Sequence, residues 1–94
     1  MKPPEYIDGA KVIEWAWSGD VPFGVIKYAD SEEVAVEIYG LAICQYPDSK
    51  KVYGFSCDRD WETEQDSDYI SVEEAKNNIP KQYKQVEAQW ERYE

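Results

Sequence analysis

Six acidic side chains occupy every second position of one short stretch: Asp58, Asp60, Glu62, Glu64, Asp66 and Asp68, in the string DRDWETEQDSD. In an extended backbone successive side chains point to opposite faces, so this spacing predicts a single row of carboxylates about 6 to 7 Å apart. Such a row repels itself, and it is stable only when solvated or offered to a positive partner. The opposite face carries Arg59, Trp61, Thr63, Gln65, Ser67 and Tyr69, which gives Trp61 and Tyr69 a route toward a core. Two readings stand side by side. An edge strand charged in this way discourages pairing with other chains. Equally, Asp58, Asp60, Glu62, Glu64, Asp66 and Asp68 can steer a basic protein surface, with Trp61 or Tyr69 as the aromatic anchor.

Other chemistries that carboxylates support fit less well. The stretch DRDWETEQDSDY offers oxygen ligands at alternate positions of a twelve-residue calcium loop, but Thr63 stands where glycine makes the sharp turn and Tyr69 where a bidentate glutamate closes the shell. A weak cation site on the row remains a third, lesser reading. Carboxylates two apart on a strand also approach the separation used in inverting glycoside hydrolysis, although any acidic strand offers it. The chain has no histidine, which removes the commonest general base and most catalytic zinc sites. No phosphate-binding glycine loop, dinucleotide fingerprint or nucleophile elbow is present. The expectation is a protein with no enzymatic activity and no cofactor.

Charge narrows the partner. Twenty acidic residues face ten basic ones, and the stretch from Asp58 to Glu74 holds eight acids against one base, so seven of the net ten negative charges lie there. Nucleic acid and anionic membranes attach mainly through lysine and arginine, and both are disfavoured. The N-terminal MKPPEYIDGAK shows no signal-peptide pattern, and no apolar run approaches the length of a spanning helix. The expected location is the cytoplasm. Cys44 and Cys57 agree with it: a hairpin turning at Pro47 and Asp48 leaves them about four residues of strand apart, as free thiols.

The elements that position the row follow from periodicity. Ninety-four residues support one domain that buries roughly two thirds of its unfolded surface. Residues 11 to 17, KVIEWAW, alternate with Ile13, Trp15 and Trp17 on one face and end at the turn Ser18-Gly19-Asp20. Phe23 to Tyr28 forms a second strand. EVAVEIYGLAICQY over 33 to 46 forms a long apolar run, with a bulge or change of direction expected at Gly40. Lys51 to Cys57 returns as a fourth strand and Trp61 to Gln65 adds a fifth. Connections this short require antiparallel neighbours, so the predicted sheet is a meander of four or five strands over about 11 to 69.

A helical segment is predicted over about 72 to 93. Ser71 with Glu74 forms a capping box, and Glu73 and Glu74 complement the positive helix end. Val72, Ala75, Ile79, Tyr83, Val86, Trp90 and Tyr93 fall on one helical stripe that should cover one face of the sheet. Pro80 should kink or split the helix near Asn78 and Ile79. The predicted fold class is therefore α+β, an antiparallel sheet with a broken C-terminal helix packed on one face. Trp15, Trp61 and Trp90 are the natural large core fillers among fourteen aromatic residues.

FSCDRDWETEQDSDY, then SVEEAKNNIPKQY and the late Trp90, resemble the C-terminal half of small, acidic, cytoplasmic bacterial proteins of uncharacterised or immunity-protein type. The resemblance covers about a third of the chain. It implies a preformed acidic surface that covers a toxin, and it agrees with the charge argument. The expected function is a non-enzymatic protein-binding module, with the resemblance implying an immunity-like inhibitor of a basic toxin or other basic protein. The alternative is a small structural or accessory domain whose acidity keeps it soluble.

Overall fold

The alternating first two thirds of the chain folds as strands, as its period of two requires. The computed structural model describes residues 1–94. In chain order the elements are β1 (Tyr6–Ile7), β2 (Ala10–Trp17), β3 (Gly24–Lys27), β4 (Val34–Ile38), β5 (Gly40–Gln45), β6 (Val52–Cys57), β7 (Thr63–Tyr69), α1 (Val72–Asn77), a 3₁₀ turn at Lys81–Tyr83, and β8 (Glu91–Arg92). The main sheet runs β1-β2-β5-β6-β7, with β8 also paired to β2. Every pairing is antiparallel, and the α+β class fits in outline. No helix is long and apolar enough to cross a membrane.

The expected simple meander is corrected in one respect. β3 and β4 pair only with each other, as a separate two-stranded ribbon, and β2 pairs directly with β5. The long apolar run breaks at Tyr39, immediately before Gly40, so that β4 belongs to the ribbon and β5 to the main sheet. Tyr39 bonds in both directions, its carbonyl accepting from Ser18 and its N–H donating to the carbonyl of Cys57. The ribbon is held down by Phe23 and Ile38, both fully buried with Ala16, Leu41 and Tyr83.

β5 lies at the centre of the sheet and is buried on both faces from Gly40 to Cys44, which is why those five residues carry no charged or hydrogen-bonding polar side chain but the thiol of Cys44. Its Gly40, Ala42 and Cys44 are small, and large neighbours fill the space above them: Trp15, Phe55 and Trp61 pack with Ile7, Val12 and Cys57 in one cluster. The other face joins Ile43, Val52 and Ala75. A bulge in β2 between Val12 and Glu14 changes which residues share a face. Val12 and Trp15 both enter the aromatic cluster, whereas Ile13 packs against Ile43 on the other side. Uninterrupted alternation had placed Ile13 with Trp15 and Trp17; the extra residue of the bulge overturns that grouping.

The helical segment is much shorter than expected. α1 spans six residues, and its start follows the capping signal: the Ser71 hydroxyl accepts from the Glu74 N–H at 3.0 Å. Asn78 ends it, with its N–H directed to the Ala75 carbonyl and its side chain donating to the Glu74 carbonyl at 2.7 Å. Pro80 cannot donate a hydrogen bond, and a single 3₁₀ turn follows. Residues 84 to 90 form a strap, whose end pairs with β2 through Glu14–Arg92 and Trp15–Glu91. Only Val72 and Ala75 of the stripe lie in α1, and Tyr83 lies in the 3₁₀ turn. Ala75 and Tyr83 are buried, and Val72, Ile79, Val86 and Trp90 lie against the sheet. Tyr93 departs to the aromatic face, with its N–H on the Ile13 carbonyl at 2.9 Å. Strand pairing at the chain's end supplies backbone partners that an uncapped helix lacks.

Candidate functional site

The acidic row divides into a turn and a strand. Asp58, Asp60 and Glu62 belong to the β6–β7 connection, and Glu64, Asp66 and Asp68 lie on β7. Asp58 organises the turn: its Oδ1 accepts from the N–H groups of Asp60 at 2.8 Å and Glu62 at 3.0 Å. Its own N–H donates to the Glu62 carbonyl at 3.0 Å, and its carbonyl accepts from Trp61 at 3.2 Å. A single extended row of six carboxylates is therefore corrected to two in-register acids, Asp66 and Asp68, with Glu64 at a register shift of β7 and three more acids on the preceding turn. An aspartate that caps its own turn competes with extended backbone here.

The same turn decides where Trp61 goes. Its φ is +62°, a left-handed conformation unusual outside glycine, asparagine and aspartate. The indole swings over Gly40, where a Cβ would come within 2.5 Å of the ring. It lies 6.3 Å from Trp15, edge to face, and 5.5 Å from Trp17. Only 6% of Trp61 is exposed. Of its two expected roles the core one holds, and the structure removes it from the surface as an anchor. Burying the ring offsets the backbone strain of the turn.

Register places the remaining acids. Asp66 pairs with Phe55 and Asp68 with Tyr53, so their side chains share the aromatic face of the sheet. Tyr46 stacks edge to face on Tyr53 at 5.3 Å and continues that face. The Tyr46 hydroxyl is pushed above its ordinary pKa by desolvation and by the nearby charges of Asp8 and Asp66. Asp68 meets Lys51 at 2.8 Å, and this hydrogen-bonded pair holds its carboxyl below the usual carboxylate range. The other five acids of the stretch form no ion pair. Arg59, the one base in their midst, is committed to Tyr39: the guanidinium stacks 4.3 Å from the ring and donates to its hydroxyl at 3.1 Å.

Tyr69 pairs with Val52 on the opposite face, where its hydroxyl donates to the Asn78 carbonyl at 3.2 Å. It ties β7 to the end of α1 and does not stand beside Asp66 and Asp68. The apolar side chain at the end of the row is instead Ile70, 75% exposed. Alternation missed Ile70 because it sits in the link between β7 and α1, outside either period. Its available signal was simple: an isoleucine directly before the capping serine, after a strand of acids.

β7 is the last strand of the main sheet, so one side of its backbone has no neighbouring strand. The opposite edge, on β2, is covered by β1 at one end and β8 further along. No group of three or more aspartate, glutamate or cysteine side chains is gathered to hold a metal ion. Cys44 and Cys57 are buried free thiols. Cys44 pairs with Tyr53, four residues before Cys57 on the neighbouring strand, as the hairpin arithmetic predicts. Burial pushes both thiols up, Cys57 to about 12, which leaves them protonated and poorly nucleophilic at neutral pH. Comparison of the chain with known protein families, with curated proteins and with solved structures found no match.

Proposed function

We propose that this chain is a non-enzymatic binding module that engages a basic protein surface through the β6–β7 hairpin, as an inhibitor of a cationic toxin or of another basic protein would. The observation that carries this reading is the union of an open strand edge with an acidic face: Glu64 and Asp66 are exposed and unpaired on the sheet's terminal strand. Asp58, Asp60 and Glu62 extend the negative field across the adjoining turn. Tyr46 and Tyr53 flank the strand acids, and Ile70 supplies an exposed apolar contact where the row ends. Long-range attraction from such a field accelerates association, while apolar contacts govern how slowly the complex separates. Because the carboxylates are spread along the hairpin and do not converge, the arrangement suits an extended cationic surface better than a single cation.

The test begins with capture from native cell extract at low and high salt, followed by stopped-flow association with the captured partner. Reversing Glu64 and Asp66 to lysine should slow association and flatten its salt dependence; Ile70→Ser should speed dissociation. Unchanged rates in both variants would reject the reading.

A second reading draws on the same edge. A terminal strand rich in charge resists pairing with further copies, and an accessory domain would need its acids for nothing else. Under that reading Glu64→Gln with Asp66→Asn makes the chain self-associate, visible as a rise in sedimentation coefficient with concentration. A variant that stays monomeric removes the support for pure edge protection.

A further inference from the structure

The face of β6 and β7 turned away from the acidic row carries unusually little side-chain volume. Along β6 the large Tyr53 and Phe55 go to the aromatic side, leaving Gly54 and Ser56 on the other; Ser67 pairs with Gly54 and Gln65 with Ser56. The strap does not descend to fill the gap. Ala75, Ile79, Pro80 and Trp90 form a roof over a floor that includes Leu41 and Ile43, and a cleft of about 510 Å³ remains between them. Protein interiors are packed as densely as organic crystals, with few voids larger than a water molecule. A space of this size falls instead in the range of small-molecule sites.

Ser56 gives the cleft its chemistry. It is 93% buried, with 7% of its surface exposed, and it stands between Leu41 on one neighbouring strand and Gln65 on the other. Both of these also line the cleft, so the Ser56 hydroxyl faces the same space. No protein group hydrogen-bonds to its hydroxyl, which is left open to the cleft, where a ligand can supply a partner. At the rim, Gln65 is held in place by the Tyr83 hydroxyl, which donates to its side-chain oxygen. The lining includes no lysine or arginine. The nearby Lys76 is tied to Glu14 at 2.6 Å and lies 6.0 Å from the Trp90 ring. With a net charge of −10 on the chain, an anionic ligand is repelled and finds no counter-charge.

We propose that this cleft binds a neutral, flat, largely apolar small molecule that presents one hydrogen-bonding group to Ser56, with Trp90 and Ile79 covering its apolar body. The site lies on the other side of the same hairpin from the acidic face and shares with it Asp66, which also lines the cleft.

Nile red, a neutral planar dye with a carbonyl acceptor, is a suitable probe for the intact chain. Its fluorescence should rise saturably on titration with the protein, with one dye per chain. Ser56→Ala removes the buried donor and should weaken binding by about fivefold to tenfold, as expected for one lost hydrogen bond. Ser67→Phe, at an exposed position that tolerates a larger side chain, plugs the rim and should abolish saturation. This variant decides the matter if Ser56→Ala fails to fold. Glu64→Gln, on the acidic face, should leave dye affinity unchanged, and the anionic dye anilinonaphthalene sulfonate should bind far more weakly than Nile red. The proposal is overturned if Nile red shows no saturable rise with the wild-type protein. It is equally overturned if Ser67→Phe binds the dye as well as the wild type does, or if the anionic dye matches the neutral one.

Discussion

β5 and β7 lie two places apart in one sheet and have almost opposite compositions. GLAICQ is buried on both faces at the sheet's centre, and TEQDSDY is exposed along nearly all of its length at the sheet's edge. Neighbours on both sides and the aromatic cluster above leave Gly40 to Cys44 of β5 buried, with no position where a charge could be well hydrated. β7 has a neighbour on one side only, so its face can carry carboxylates at the modest expense of mutual repulsion. The contrast shows where this fold keeps its stability and where it is free to bind. The centre of the sheet tolerates almost no change, and the edge tolerates much.

The largest effects should come from the centre. Trp61→Ala removes the ring that fills the space over Gly40, and urea unfolding should register a loss of about 3 to 5 kcal/mol, as for other buried aromatic truncations. Gly40→Ala attacks the same contact from below, because its Cβ would come within 2.5 Å of the indole. It should remove about 1 to 3 kcal/mol. A Gly40→Ala protein with wild-type stability would show that β5 is less tightly enclosed than the comparison holds.

Next in size is the Lys76–Glu14 pair, whose side chains are 25% and 16% exposed. It joins α1 to β2 across the lower face. Glu14→Gln leaves a largely desolvated ammonium with a poorer partner, and a loss of about 1 to 3 kcal/mol is expected. Adding Lys76→Met should recover much of that loss; a double variant no more stable than the single one would reject desolvation as the cause.

Alkaline pH should act on the centre and spare the edge. The folded-state pKa values of Cys44, Cys57 and Tyr83 are all raised by burial. Their contribution is fully present below the unfolded-state pKa, 9.0 for the thiols, and it is lost as pH rises toward the folded value of about 12 for Cys57. Stability should therefore decline through this window, and Cys57→Ala should make the decline shallower. An identical pH profile in the variant would count against the buried thiol as the source.

The smallest effects belong to the edge. Moderate salt should raise the melting temperature slightly by screening the carboxylates, and Glu64→Gln with Asp66→Asn should do the same without salt. Asp68 should behave in the opposite sense, because Lys51 lowers its folded pKa below 3.8. Its contribution is present above that value and is lost as pH falls through the folded pKa. Asp68→Asn should remove this acid sensitivity. A melting temperature that drops in the Glu64 and Asp66 double variant would mean that these acids are paired with bases and not merely hydrated.

Local patterns determined much of what is seen. Alternation marked the strands, the short connections required antiparallel neighbours, and Ser71 with Glu74 placed the start of α1. Hairpin arithmetic kept Cys44 and Cys57 apart. Each of these rests on interactions within a few residues or across one turn, where the backbone has few alternatives. The tertiary structure decided the rest. The bulge at Ile13 reassigned the faces of β2, the β3–β4 ribbon left the main sheet, and strand pairing at Arg92 replaced the second half of a helix that Pro80 had already interrupted. Trp61 was drawn out of its alternating position by the space above Gly40, twenty-one residues earlier in the chain. Ser56 faces a cleft because the strap spans the sheet without filling it. In every such case the deciding partner is distant in sequence, and the spacing of neighbouring residues carries no record of it.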